Sequence, residues 1–204
     1  MAQDIQEKIR NEEKRIREER SLDTLSAHKS IALWRAAYVS FGAKAKEHRS
    51  SVENLYRLAL EGKELRHVNT LVDIYNFISL KYMLPVGGED LDKIKGDISL
   101  TFAGANEPAV LRLGDKEPRA THEGEVIYKD DEGAICRRWN WKECERTKLT
   151  EQTTNAVFVI EAIALIAKEE VKLALDELAE LVKKYCGGEV MSYILDQENI
   201  DVLL

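Results

Sequence analysis

The chain opens with residues 3–20, which alternate charge sign around a thin apolar line at Ile5, Ile9 and Ile16. This pattern predicts a helix that buries a narrow strip, either against the body of the protein or against a second copy of the chain. Over residues 26–46 the apolar positions Ile31, Trp34, Ala37, Tyr38 and Phe41 share one face of a second helix, with Gly42 as an interruption. Ser50, Ser51 and Glu53 then make a capping signal for a short helix that runs through Leu60 and is closed by Gly62. Residues 1–62 are therefore expected to be a helical extension ahead of a main domain of residues 63–204.

Beyond His67, the side chains of Leu71, Val72, Ile74, Tyr75, Phe77, Ile78 and Leu80 surround a helix on nearly every side, which predicts burial. One polar stripe interrupts them: Asn69, Asp73 and Asn76, at i, i+4 and i+7. Such a stripe either closes into internal hydrogen bonds or lines a wet cavity. Pro85 ends the helix, and Gly87-Gly88 reads as a loop that permits positive φ and close approach of a ligand. Asp90 is placed to cap a single turn over residues 91–95, terminated by Gly96.

From residue 97 to about 140 the pattern is that of strands. ISLTFA, AVLRL, EVIYK and AICRRW are separated by turn residues, and DDEG reads as a hairpin turn between the last two. AVFVI predicts a further strand, although the alanines after Glu161 also suit a helical continuation. Val171, Ala174, Leu175, Leu178, Leu181 and Val182 form the clearest helical stripe of the chain, stopped by Gly187. The tail MSYILDQENIDVLL is expected to add an edge strand. Together these elements predict an α+β fold, a mainly antiparallel sheet with flanking helices.

Composition narrows the class. A hydrophobic content of 44% supports a proper core, and 33% charge with only three prolines speaks against a disordered chain. No apolar window of about 18 residues is present, so no membrane partner is expected. The N-terminus lacks the apolar core of a signal sequence, so the expected location is cytoplasmic. Cys136, Cys144 and Cys186 follow no zinc spacing and read as reduced packing residues. The net charge of −7 opposes a general affinity for polyanions. Two basic tracts soften that: residues 29–66 hold eight Lys/Arg against four Glu, and residues 136–148 hold five against two.

The P-loop, G-x-G-x-x-G, H-E-x-x-H and G-x-S-x-G signatures are absent, and four histidines lack ligand spacing, so neither a cofactor nor a metal is expected. Two polar features remain. One is the Asp73/Asn76 stripe before the glycine pair. The other is Glu161, the only charged residue between positions 156 and 167. An ionised carboxylate in such a run costs several kcal/mol unless it is paired, so Glu161 needs a buried partner or faces a ligand. In the tract RRWNW, a strand would put Trp139 and Trp141 on one face and Arg137 and Arg138 on opposite faces. The arginine pair beside Cys136 is also a candidate for lowering its pKa, against the alternative of a packed strand cysteine.

VDIYNFISLKYMLPVGGEDLDKIKGDI, GEVIYKDDEGAICRRWNW and TEQTTNAVFVIEA, in this order, resemble the B3/B4 module of the phenylalanine–tRNA ligase beta chain, and still more the freestanding proteins of that family. The similarity covers about residues 65–165. It implies an α+β editing domain that hydrolyses a wrongly attached amino acid from tRNA without a metal. By motif, Asn76 matches the asparagine that lines the editing pocket, and Glu161 matches the glutamate that recognises the amino acid. The module carries a histidine soon after the proline, where this chain has Gly87.

The resemblance therefore implies a trans-acting hydrolase of mischarged aminoacyl-tRNA, with Glu161 and Asn76 as the catalytic pair. Asp73, Gly87, Gly88 and Asn140 would contact or support the substrate, and Arg138, Lys142, Arg146 and Lys148 would meet tRNA phosphates. The chain is expected to be too short to charge tRNA itself. Two alternatives stand beside this reading: a non-catalytic module that binds tRNA or an amino acid, and a hydrolase of small amides or esters.

Overall fold

The apolar line of the first helix is used up within the chain. In the computed structural model, which describes residues 2–163 and 166–203, α1 (Ala2–Glu19) packs on α5 (Thr70–Tyr82) and α4 (Ser51–Leu60), with Ile5, Ile9 and Ile16 buried. Each buried isoleucine contributes about 1.5–3 kcal/mol. Of the two expectations for this strip, the body of the chain takes it. Glu13 lies buried on the same face and accepts the Leu65 N–H at 2.7 Å, which ties the connection before α5 to α1.

The second helix is shorter than its apolar pattern suggests. After the one-turn α2 (Leu22–Leu25), α3 spans Lys29–Ser40. Gly42 is a stop there, not an interruption: it takes φ +81°, and the Ala43 N–H closes back on the Tyr38 carbonyl at 2.9 Å. The cap at Ser50 forms as expected, its side chain accepting the Glu53 N–H. Asn69, the first residue of the polar stripe, is likewise a helix cap, accepting the Val72 N–H at 2.9 Å. Ile5, Trp34, Tyr56, Ile74, Leu84 and Leu178 belong to one buried cluster, to which α6 (Lys168–Tyr185) contributes the stripe read in the sequence.

Two antiparallel sheets complete the α+β fold. β1 (Val86–Asp90) pairs with β6 (Ala156–Ile160), which puts Gly87 opposite Val159 and Gly88 opposite Phe158. β2 (Ser99–Phe102), β3 (Val126–Asp130), β4 (Gly133–Arg137) and β5 (Lys142–Glu143) form the second sheet in that order. The expected hairpin at DDEG joins β3 to β4. Cross-strand pairing sets Tyr128 beside Cys136 and Cys136 beside Glu143, so these three share one face of the sheet. Ile127 and Ile135 join Ala103, Val110, Ala134 and Cys144 in a second, smaller apolar cluster.

Three expectations need correction. Gly87-Gly88 is not a loop but the middle of β1, and neither residue has positive φ. A Cβ on Gly88 would come within 2.7 Å of the Phe158 ring, so the missing side chain makes room for a neighbour in the sheet. AVLRL makes only single bridges, Val110 to Arg119 and Arg112 to Cys144. The tail forms no strand among the described residues.

Candidate functional site

Glu161 stands where the chain leaves β6. Its N–H donates to the Pro85 carbonyl at 2.9 Å, and its carboxyl turns to the four-stranded sheet. There the Tyr128 hydroxyl donates to Oε1 at 2.7 Å and the Trp139 indole N–H donates to Oε2 at 2.5 Å. Both donors are neutral, and among the described residues no Lys, Arg or His pairs with this acid. Glu161 is 9% exposed. Burial pushes its pKa up to about 7, against the lowering effect of the two hydrogen bonds.

Trp139 reaches Glu161 because RRWNW is a turn, not the strand its alternation suggests. β4 ends at Arg137, and Arg138 and Trp139 take φ of 48° and 66°, a left-handed conformation that is costly without glycine. Several contacts fix it. The Trp139 N–H donates to the Val126 carbonyl at 2.7 Å, and the Ser51 N–H donates to the Asn140 carbonyl at 3.0 Å. Arg137, fully buried, clamps Glu125 through two bonds of 2.5 and 2.8 Å. Asn140 accepts the Tyr38 hydroxyl at 2.9 Å, and its Nδ2 is buried without a hydrogen-bond partner. The two tryptophans part: Trp139 meets Trp34 edge-on at 5.0 Å, whereas Trp141 lies under the guanidinium groups of Arg112 and Arg138.

A second pair of acids, which the sequence pattern does not single out, lies close by. Glu143, on the same sheet face as Tyr128 and Cys136, accepts the Gly88 N–H, and its Oε1 sits 3.0 Å from where a Gly87 Cβ would be. Glu89 accepts the Thr147 hydroxyl at 2.5 Å. Burial raises the pKa of both, and in Glu89 the Glu143 charge adds to it. Tyr75 of α5 feels the same two acids: after burial, their charges raise its phenol. Glu143 as a whole residue is half-buried, while burial of its carboxyl is the leading cause of the raised pKa. The signal that finds it is cross-strand register, which a single sequence does not give.

Cys136 is a packed strand thiol. Burial first, then the charges of Glu143 and Glu89, push its pKa well up, and the neighbouring Arg137 is turned to Glu125. Of the two readings of this residue in the sequence, the packed strand cysteine is the one that forms, and the arginine pair does not lower its pKa.

The other residues singled out in the sequence are dispersed. Asn76 is half-buried on α5 and makes no side-chain hydrogen bond among the described residues. Asp73 pairs with His67 Nδ1 at 2.7 Å in a groove against α1. All four cations expected at phosphates are engaged by acids: Arg138 with Glu125 at 3.7 Å, Lys142 with Asp115 at 3.4 Å, Arg146 with Asp130 at 2.7 Å, and Lys148 with Glu145. Among the described residues no cluster of His, Cys, Asp and Glu is arranged to hold a metal ion, and no helix is long and apolar enough to cross a membrane.

Comparison with known proteins places these residues in a family context. The model of the B3/4 domain matches residues 33–187, a span that includes Glu89, Glu143 and Glu161. The phenylalanine–tRNA ligase beta subunit of Fusobacterium nucleatum subsp. nucleatum is 28% identical over 156 residues, which is 65% of this chain and 19% of that subunit. The corresponding subunit of Leifsonia xyli subsp. xyli is 38% identical over 79 residues, 39% of this chain and 9% of the subunit. The chain thus spans less than a fifth of the length of these curated relatives.

Proposed function

As the chain belongs to the B3/4 domain family, we propose that it is a trans-acting editing hydrolase that removes an amino acid from mischarged tRNA. The observation that carries this reading is Glu161, an acid held in place by two neutral donors and offset by no cation. On this reading its negative charge is what the ligand meets. The α-ammonium of an aminoacyl ester is the matching group, and its approach would favour the ionised carboxylate over the neutral form that burial favours.

The rest of the chemistry asks little of the protein. An aminoacyl ester is already activated, so the site needs to orient it and a water molecule. Glu161 anchors the amino group, Tyr128 and Trp139 fix the angle of Glu161, and the unpartnered Asn76 amide is the proposed donor to the ester or the terminal ribose. Gly87 and Gly88 act by what they lack, letting Glu143 and Phe158 close on β1.

A second reading, a module that binds the aminoacyl end without cleaving it, is favoured by one observation: Gly87, where the related module carries a histidine, is a strand residue with no side chain to hold water. Incubation with a panel of aminoacylated tRNAs separates the two. A hydrolase releases free amino acid from at least one of them, whereas a binder protects the ester.

A further inference from the structure

The cations of the tract after β4 are neutralised at home, but two arginines elsewhere are not. Arg10 on α1 and Arg66 before α5 are exposed and make no ion pair or side-chain hydrogen bond among the described residues. Both line a groove of about 300 Å³ between α1 and residues 64–67, and His67 and Asp73 line it with them. The Asp73 side chain is only 3% exposed, while that of His67 is 43% exposed. Asp73 also lies in the first turn of α5, where the helix favours negative charge. Its carboxylate can only accept, so the 2.7 Å bond places a hydrogen on His67 Nδ1, and in the neutral ring Nε2 then carries the lone pair. Two further acids share the groove with Asp73. Glu13 is buried and turned to the Leu65 N–H, and desolvation raises its pKa; Glu64 is the one exposed counter-charge.

We propose that this groove binds a ribose-phosphate unit of an RNA backbone, with Arg10 and Arg66 on the phosphate and His67 Nε2 accepting from the 2′-hydroxyl. Asp73 is a positioning residue that sets the His67 tautomer. The combination discriminates by chemistry: a guanidinium pair recognises any phosphodiester, but an acceptor nitrogen beside it finds a donor only on ribose. This inference rests on the reading of the protein as one that works on tRNA, and it gives that tRNA a place to lie.

The test is equilibrium binding of the full chain to an uncharged tRNA transcript and to a DNA oligonucleotide of the same sequence, across a range of salt concentrations. The Arg10→Ala/Arg66→Ala double variant is expected to bind tRNA about tenfold more weakly, with a salt slope reduced by about two. Both side chains are exposed, so circular dichroism should show an unchanged fold. His67→Ala is expected to weaken RNA binding and leave DNA binding as it was. Parental affinity in the double variant, equal affinity of the parent for RNA and DNA, or no binding of tRNA at all overturns the proposal. The editing reading stands or falls separately: a protein that deacylates tRNA but ignores these substitutions loses only the groove, and one that binds RNA here without releasing amino acid loses only the hydrolysis.

Discussion

The Tyr128 hydroxyl and the Glu161 carboxylate meet at 2.7 Å, joining the four-stranded sheet to the end of β6. This bond stabilises the ionised acid in surroundings that disfavour charge. Tyr128→Phe removes it, and a hydrogen bond to a charged group is worth about 1.5–3 kcal/mol, or one to two pH units. The Glu161 pKa should therefore rise above its value of about 7. Carboxyl titration followed by ¹³C NMR checks this, and the pH profile of deacylation should move to higher pH by the same amount.

The same acid makes folding depend on pH. Its ordinary pKa is 4.5 and its folded value is about 7. Between those values the folded state keeps a proton that the unfolded state has lost, so stability falls as pH rises through this window and stays lower above it. Glu161→Gln removes that contribution. Urea unfolding at about pH 5 and pH 8 should show the parent losing a few kcal/mol more than the variant over this interval. Equal pH slopes would mean that Glu161 titrates normally.

Much of the scaffold was legible from the sequence. The α6 stripe, the Ser50 cap and the DDEG hairpin all follow from local rules, and all form. Glu161 was legible as an acid isolated in an apolar run. Its partners were not, because Trp139 reaches it only through a left-handed turn at two non-glycine residues, and that turn is held by distant groups such as Glu125, Tyr38 and Ser51. Local propensity gives no sign of this, and alternation pointed to a strand. Gly87-Gly88 misleads for a related reason: glycine signals freedom, but here it signals crowding by Phe158, a residue 70 positions away from Gly88.

That crowding makes the two glycines unequal. A Cβ at Gly88 meets Phe158 ring carbons at 2.7 and 2.9 Å, whereas at Gly87 it meets only the end of the Glu143 side chain at 3.0 Å. Gly88→Ala should destabilise the protein by about 1–3 kcal/mol, as overpacking does, and Gly87→Ala by less. Thermal unfolding of the two variants gives the order directly.

Arg137 and Glu125 form a buried bidentate pair on which the 138–141 turn depends. Arg137→Met leaves Glu125 buried, with the Arg138 guanidinium at 3.7 Å and the His122 N–H at 3.3 Å as its partners, and should cost about 3–5 kcal/mol. Replacing both residues, Arg137→Met with Glu125→Leu, should recover most of that loss. A double-mutant cycle by chemical denaturation measures the coupling.

The central claim is that the unshared charge of Glu161 receives the substrate. Its most direct test is the single-turnover rate at which the parent and Glu161→Ala release amino acid from a mischarged tRNA that the parent deacylates. The account requires a fall of about a hundredfold or more in a variant that still binds the uncharged tRNA. Release at the parental rate would contradict it.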